Sequence, residues 1–234
     1  CGDLDSEAVR IAARGGAWAA YLNAGQVCTS SERFYVMENV YDEYVSAFLE
    51  HTKSLVIGDP LDAKTDLGPM ISATQRGKAL AQVEAAVDAG AELLTGGDDA
   101  GFETGHYLSP CVLTGVPEDT DLMTEETFGP VAPILPVSSL EEAIEKANGL
   151  DFGLGANIYT RDLKTAITCL KGVRAGSVWI NDPLTDNDAG PFGGFKNSGI
   201  GRELGTEGLD AFREAKHVHM DSEIEVKDWW YPYG

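Results

Sequence analysis

Cys28 stands in a setting that suits reactivity better than packing. The run Gly25-Gln26-Val27-Cys28-Thr29-Ser30-Ser31 separates an apolar helical pattern ending at Leu22 from an aromatic, β-branched run that begins at Arg33. Asn23-Ala24-Gly25 stop the helix, and glycine suits the left-handed conformation in which helices commonly end. The cysteine therefore falls on a short loop fixed at both ends, the kind of loop that often carries chemistry. A thiol attacks only as the thiolate, which needs hydrogen-bond donors or positive charge around it. Amides of a tight turn and the hydroxyls of Thr29, Ser30 and Ser31 can supply those donors. Cys111, inside an apolar Leu-Ser-Pro-Cys-Val-Leu run, and Cys169, beside a helical stripe, read instead as small core hydrophobes. Spacing alone leaves both a catalytic and a structural role open for Cys28.

The elements that hold this loop alternate. A helix capped by Asp5 or Ser6 runs to about Leu22, apolar nearly all round, as a helix inside a protein or between domains would be. Gly15-Gly16 in its middle implies close packing against another element. A strand over 33–37 follows, then a helix over 41–55 with Tyr41, Tyr44, Val45, Phe48 and Leu49 at helical spacing. Helix 74–89 is predicted to turn Leu80, Val83, Ala86 and Val87 inward. Strands are expected over 92–95, 107–116, 131–137, 155–159 and 177–181. Helices are expected over 121–126, 140–148, 162–170 and 207–214, with Leu163, Ala166, Ile167 and Leu170 on one face of the third. The 182–195 loop is long, and long loops in compact domains are usually functional. Residues 216–220 read as a last strand outside the rhythm, and 228–234 as an aromatic tail. Strands alternating with helices imply an α/β open sheet, mostly parallel, with helices on both faces.

Composition narrows the function classes. Thirty-eight acidic against 17 basic residues give a formal charge of −21, which disfavours nucleic acid and anionic membranes, since phosphate binding rests on Lys and Arg clusters. A well-solvated acidic surface and adaptation to high salt both fit. No apolar run approaches the ~20 residues of a membrane helix. Four dispersed cysteines without Cys-x-x-Cys form no disulfide framework, so a reducing cytoplasm is the expected location. His217 and His219 would share one face of a strand, but further ligands at suitable spacing are absent, so no metal site is expected. A start at Cys1 rather than methionine points to a piece of a longer protein.

Three motifs carry a resemblance. Gly25-Gln26-Val27-Cys28 followed by Glu32-Arg33 resembles the nucleophile segment of the NAD(P)-dependent aldehyde dehydrogenases. Glu126-Thr127-Phe128-Gly129-Pro130-Val131 is similar to that superfamily's cofactor-ribose motif. The stretch from Pro191-Phe192-Gly193-Gly194 to Gly201-Arg202-Glu203 is similar to its late glycine-rich motif. The resemblance covers nearly the whole chain but only the second half of a typical member. It implies that Cys28 attacks an aldehyde carbonyl with its own amide helping to hold the oxyanion, and that hydride passes to NAD or NADP. A thioester would remain, and water would hydrolyse it. It further implies that Glu126 binds the nicotinamide ribose, that Phe128 lines the nicotinamide site, and that Gln75 and Lys78 contact a cofactor ribose. Tyr21, Leu22, Val27, Thr29, Phe192 and the loop from Asn181 to Ala189, with Asp182 and Asp188, would line a substrate tunnel.

By the same resemblance residues 1–214 are a catalytic domain, and 215–234 an oligomerisation strand and tail serving a homodimer or homotetramer. The general-base glutamate, the oxyanion-hole amide side chain and the main dinucleotide-binding domain would lie outside this chain. No Gly-x-Gly-x-x-Gly stands in its place, so the chain alone is expected to be feebly active at best. Acids and amides in the 182–189 loop hint at a polar or cationic aldehyde. Lactaldehyde- or glycolaldehyde-type, betaine-aldehyde and semialdehyde oxidation all stay open. A non-catalytic assembly module is the alternative from a different class.

Overall fold

Helix α1 (Ser6–Tyr21) starts where the Asp5 carboxylate accepts the Ala8 amide at 2.9 Å, satisfying one of the helix's orphan donors. The computed structural model describes residues 2–232; Cys1, Tyr233 and Gly234 lie outside them, including the end of the expected aromatic tail. Small buried residues on α1 let α2 (Tyr41–Ser54) pack closely against it. The glycine pair is explained by its neighbours. A β-carbon at Gly15 would run into the Tyr159 hydroxyl, and one at Gly16 into the Tyr44 hydroxyl and, at 3.1 Å, the Phe34 ring. Phe48, fully buried, meets Tyr21 and Phe34 edge-on with ring centroids 5.9 and 5.3 Å apart.

The main sheet contains β1 (Phe34–Met37), β2 (Glu92–Thr95), β3 (Cys111–Thr114) and β4 (Val131–Val137) in the order β1-β4-β3-β2. β1 and β3 run parallel to β4, with Phe34 opposite Ile134 and Cys111 opposite Val131, while β2 is antiparallel on the edge. Successive strand residues point to opposite faces. Cys111, Val112, Leu113, Val131, Ala132 and Ile134 are nevertheless all at most 1% exposed. Both faces are therefore covered, as a parallel sheet requires. Helix α3 (Ala73–Asp88), capped by Ser72, leads into β2; the short α4 (Asp121–Thr124) precedes β4, and α5 (Leu140–Asn148), capped by Ser139, follows it.

A second unit consists of β6 (Gly155–Ile158) and β7 (Ser177–Ile180), a parallel pair joined through α6 (Leu163–Gly172). Beside it, β5 (Phe152–Gly153) pairs antiparallel with β8 (Phe195–Lys196), and α7 (Gly205–Asp210) comes last. The expected α/β architecture, open and mostly parallel, is the one observed.

Some expectations fail. On α6 the residues expected on one face divide: Ala166 is buried with Cys169, while Leu163, Ile167 and Leu170 are 74%, 41% and 49% exposed. On α3 the buried residues are Ala79, Gln82, Val83 and Ala86; Val87 faces out. The strand near Pro110 is confined to β3, and the last helix ends at Asp210. The strand expected at 216–220 does not form: these residues are exposed and join no sheet among the described residues. A strand without a partner leaves its backbone groups unpaired. His217 and His219 are therefore exposed and not on a strand, and the described residues contain no His/Cys/Asp/Glu group placed to hold a metal. No described helix is long and apolar enough to cross a membrane.

Candidate active site

After α1 the backbone turns left-handed through Asn23, Ala24 and Gly25, with φ of 53°, 57° and 71°. That conformation costs an alanine about 1–2 kcal/mol, so something must hold it. Gln26 does: its Nε2 donates to Asn23 O at 3.0 Å, and its Oε1 accepts Ile71 N–H at 2.9 Å. Gly25 is wedged against a second loop, since a β-carbon there would collide with the Gly129 carbonyl and lie 2.8 Å from Pro130 N.

A tight turn follows, closed by Ser30 N–H donating to Val27 O at 2.9 Å, with Cys28 and Thr29 at its central positions. Central amides of such a turn point away from its hydrogen bond. Cys28 N–H accordingly donates to no protein group among the described residues, and Cys28 is exposed. The neighbouring hydroxyls are not all available to a thiolate. Ser30 Oγ lies 3.1 Å from Ala19 O and 3.2 Å from Ala20 O, and Ser31 Oγ accepts Asn157 Nδ2 at 2.8 Å. Those serines anchor the loop, leaving Thr29 beside Cys28 on the wall of a cavity of about 570 Å³. Glu32, Arg33, Glu126 and Asn157 share its polar wall; Val9, Ala12, Ile144 and Ile158 are among its apolar residues.

The turn carrying Glu126 is held from two sides. Gln75 Nε2 donates to Thr127 O at 3.0 Å and Phe128 O at 3.1 Å, and Lys78 Nζ donates to Glu126 O at 2.6 Å. Opposite, the Glu32 carboxylate accepts Phe128 N–H at 2.8 Å and Thr127 N–H at 3.1 Å. These contacts hold Phe128 at φ 50°, a strain of order 1–3 kcal/mol for a non-glycine residue. The Glu126 carboxylate is exposed on the cavity side and accepts no hydrogen bond within the described chain. Gln75 and Lys78, expected to touch a cofactor ribose directly, here fasten the turn that carries Glu126.

The tunnel residues scatter. Tyr21 is core, 2% exposed, its hydroxyl donating to Cys111 O at 3.0 Å, so it lines no tunnel in this structure. Leu22, Val27, Asp182, Asp188 and Phe192 lie off the cavity wall, where Thr29 and, from the 181–189 loop, Pro183 remain with Cys28. Asp182 and Asp188 are exposed; Phe192 forms a two-way bridge with Glu203, both bonds 2.7 Å. The 182–189 loop is tied back by Trp179 Nε1 donating to Thr185 O at 2.6 Å. Cys111 and Cys169 are buried as expected, and burial pushes the Cys111 thiol up to about 12 and raises Cys169 as well. Glu32 is the residue whose role spacing did not reveal; the signal for it is a glutamate just before a strand whose first residue is buried.

Residues 3–218 match the model of the aldehyde dehydrogenase family. The mitochondrial aldehyde dehydrogenase of Leishmania tarentolae is 39% identical over 228 residues, 97% of this chain and 45% of the relative. The cytosolic aldehyde dehydrogenase 1 of Rattus norvegicus is 40% identical over 218 residues, 93% of this chain and 42% of the relative. Among solved structures, the NAD-dependent aldehyde dehydrogenase of Sinorhizobium meliloti superposes with a TM-score of 0.92 at 38% identity, covering 97% of this chain and 44% of that one. The chain thus spans less than half the length of these relatives.

Proposed function

The chain belongs to the aldehyde dehydrogenase family, and from that premise we propose that it is the nucleophile-bearing part of an NAD-dependent enzyme oxidising aldehydes to carboxylic acids. The observation that carries the reading is Cys28: exposed, central in a tight turn, with an unused amide, on a cavity wall shared with Glu126. Cys28 thiolate adds to the aldehyde carbon, and its own N–H takes the oxyanion that forms. Cys28 then carries the substrate as a thioester until water releases the acid and returns the thiol. NAD, when bound, supplies the hydride acceptor that this oxidation requires. The uncommitted Glu126 carboxylate fits a pair of ribose hydroxyls, and Phe128 stands two residues on to border the nicotinamide. A phosphate-cradling loop is not among these residues, so the rest of the dinucleotide is held elsewhere and the chain alone turns over feebly.

An activated ester tests the nucleophile without needing a hydride acceptor. With p-nitrophenyl acetate we expect a burst of p-nitrophenol and one acetyl group on the Cys28 peptide, both lost in Cys28→Ser. An acetyl group on Cys111 or Cys169 instead, or a burst that survives the substitution, overturns the assignment.

Residues 215–232 support a homo-oligomer: Val218, Met220, Ile224 and Val226 are each more than 60% exposed on a segment with no sheet of its own. Light scattering should show a dimer or tetramer that truncation after Glu214 reduces to a monomer; an unchanged mass refutes the role. A cytoplasmic location and a polar or cationic aldehyde complete the proposal. The substrate part fails if an intact enzyme carrying this chain prefers long alkyl aldehydes over hydroxylated or amino ones.

A further inference from the structure

Glu32 lies four residues beyond Cys28, yet its carboxylate belongs to the other loop. It accepts Phe128 N–H at 2.8 Å and Thr127 N–H at 3.1 Å, with a side chain only 9% exposed. Its cationic neighbour Arg33 stands 4.0 Å away, too far for a hydrogen bond. Both carboxylate oxygens are therefore committed to backbone amides. Burial raises the Glu32 pKa, the Glu126 carboxylate adding a little, and the Phe128 and Thr127 amides oppose that rise. From the opposite side Gln75 and Lys78 hold only carbonyls of residues 126–128. Glu32 alone among the described residues accepts from the amides of Thr127 and Phe128.

We propose that Glu32 is a positioning residue, which fixes the left-handed backbone of Phe128 and thereby aims Glu126 into the cavity that Cys28 shares. It acts through the turn and takes no part in bond making. The functional side of this rests on the reading of Glu126 and Phe128 given above. Glutamine at position 32 keeps one carbonyl acceptor and can retain the Phe128 bond; alanine keeps none.

The test uses the whole chain labelled with ¹⁵N and ¹³C. In Glu32→Ala the Thr127 and Phe128 amides should exchange at least tenfold faster, and the Phe128 backbone shifts should leave the left-handed range. Glu32→Gln should keep the Phe128 shifts and loosen Thr127 alone. Acetylation of Cys28 should stay within twofold in both, because Ala19, Ala20 and Ile71 anchor its loop independently. Unchanged exchange at Thr127 and Phe128 in a folded alanine variant overturns the proposal, and so does uniform loosening across the sheet. If the alanine variant does not fold, an unchanged Thr127 exchange rate in the glutamine variant overturns it equally. Failure of the nucleophile reading shows separately, as absent acetylation of Cys28 in the unsubstituted chain.

Discussion

Gly25→Ala is the sharpest perturbation of the site, because two costs fall on one atom. The residue sits at φ 71°, where an alanine costs about 1–2 kcal/mol. The added β-carbon also meets backbone rather than a flexible side chain: the Gly129 carbonyl in front and Pro130 N at 2.8 Å. Overpacking of that kind adds about 1–3 kcal/mol, giving a loss of roughly 2–5 kcal/mol against a total stability of about 5–15 kcal/mol. With a urea m-value of about 3 kcal/mol/M, the unfolding midpoint should fall by about 1 M. The Cys28 burst with p-nitrophenyl acetate should fall by tenfold or more, since the turn behind the sulfur must move. Gly77→Ala is the matched control, an exposed helical glycine on α3 whose β-carbon would meet nothing within 4 Å. It should stabilise by up to about 1 kcal/mol. A Gly25→Ala protein with the parental midpoint and burst would refute the claim that the two loops touch through this glycine.

Iodoacetamide at pH 8 should label Cys28 well before Cys111 and Cys169. Held at about 12, Cys111 presents about one thiolate in ten thousand at that pH, against roughly one in four for a free cysteine; peptide mapping showing equal rates would contradict the burial. Glu32 binds its proton more tightly folded than unfolded, so its contribution to stability should decline as pH rises from about 4.3 through its raised folded pKa, then level off. Denaturation midpoints should fall with pH less steeply in Glu32→Gln across that window, and identical slopes would be contrary evidence. Phe48→Ala empties the centre of the α1–α2–β1 cluster and should cost about 3–5 kcal/mol by urea denaturation. A loss under 1 kcal/mol would mean that the cluster collapses to fill the space.

The long periodic elements were legible because their signals are local. α1, α2, α3, α5 and β4 lie within two residues of the expected bounds, and the Asp5 cap of α1 is itself short-range chemistry. What failed depends on partners far along the chain. β5 and β8 are two residues each and exist only because Phe152 and Lys196 meet from either side of β6, α6 and β7. Periodicity groups Leu163, Ala166, Ile167 and Leu170 on one face of α6 but does not say which way the helix is turned, and of the four only Ala166 is buried. Tyr21 sits next to the loop in sequence, but its hydroxyl finds Cys111 O ninety positions away and draws it into the core. At the site, the order Gly-Gln-Val-Cys located the sulfur; the division of labour among Glu32, Gln75 and Lys78 shows only when the loops are placed face to face.

The contact between Gly25 and the Gly129 carbonyl has an evolutionary corollary. A side chain at position 25 would displace the backbone that carries Glu126, so neither loop can be remodelled while the other stays as it is. Variation is left to segments outside this contact, such as the largely exposed 182–189 span, tethered at Thr185.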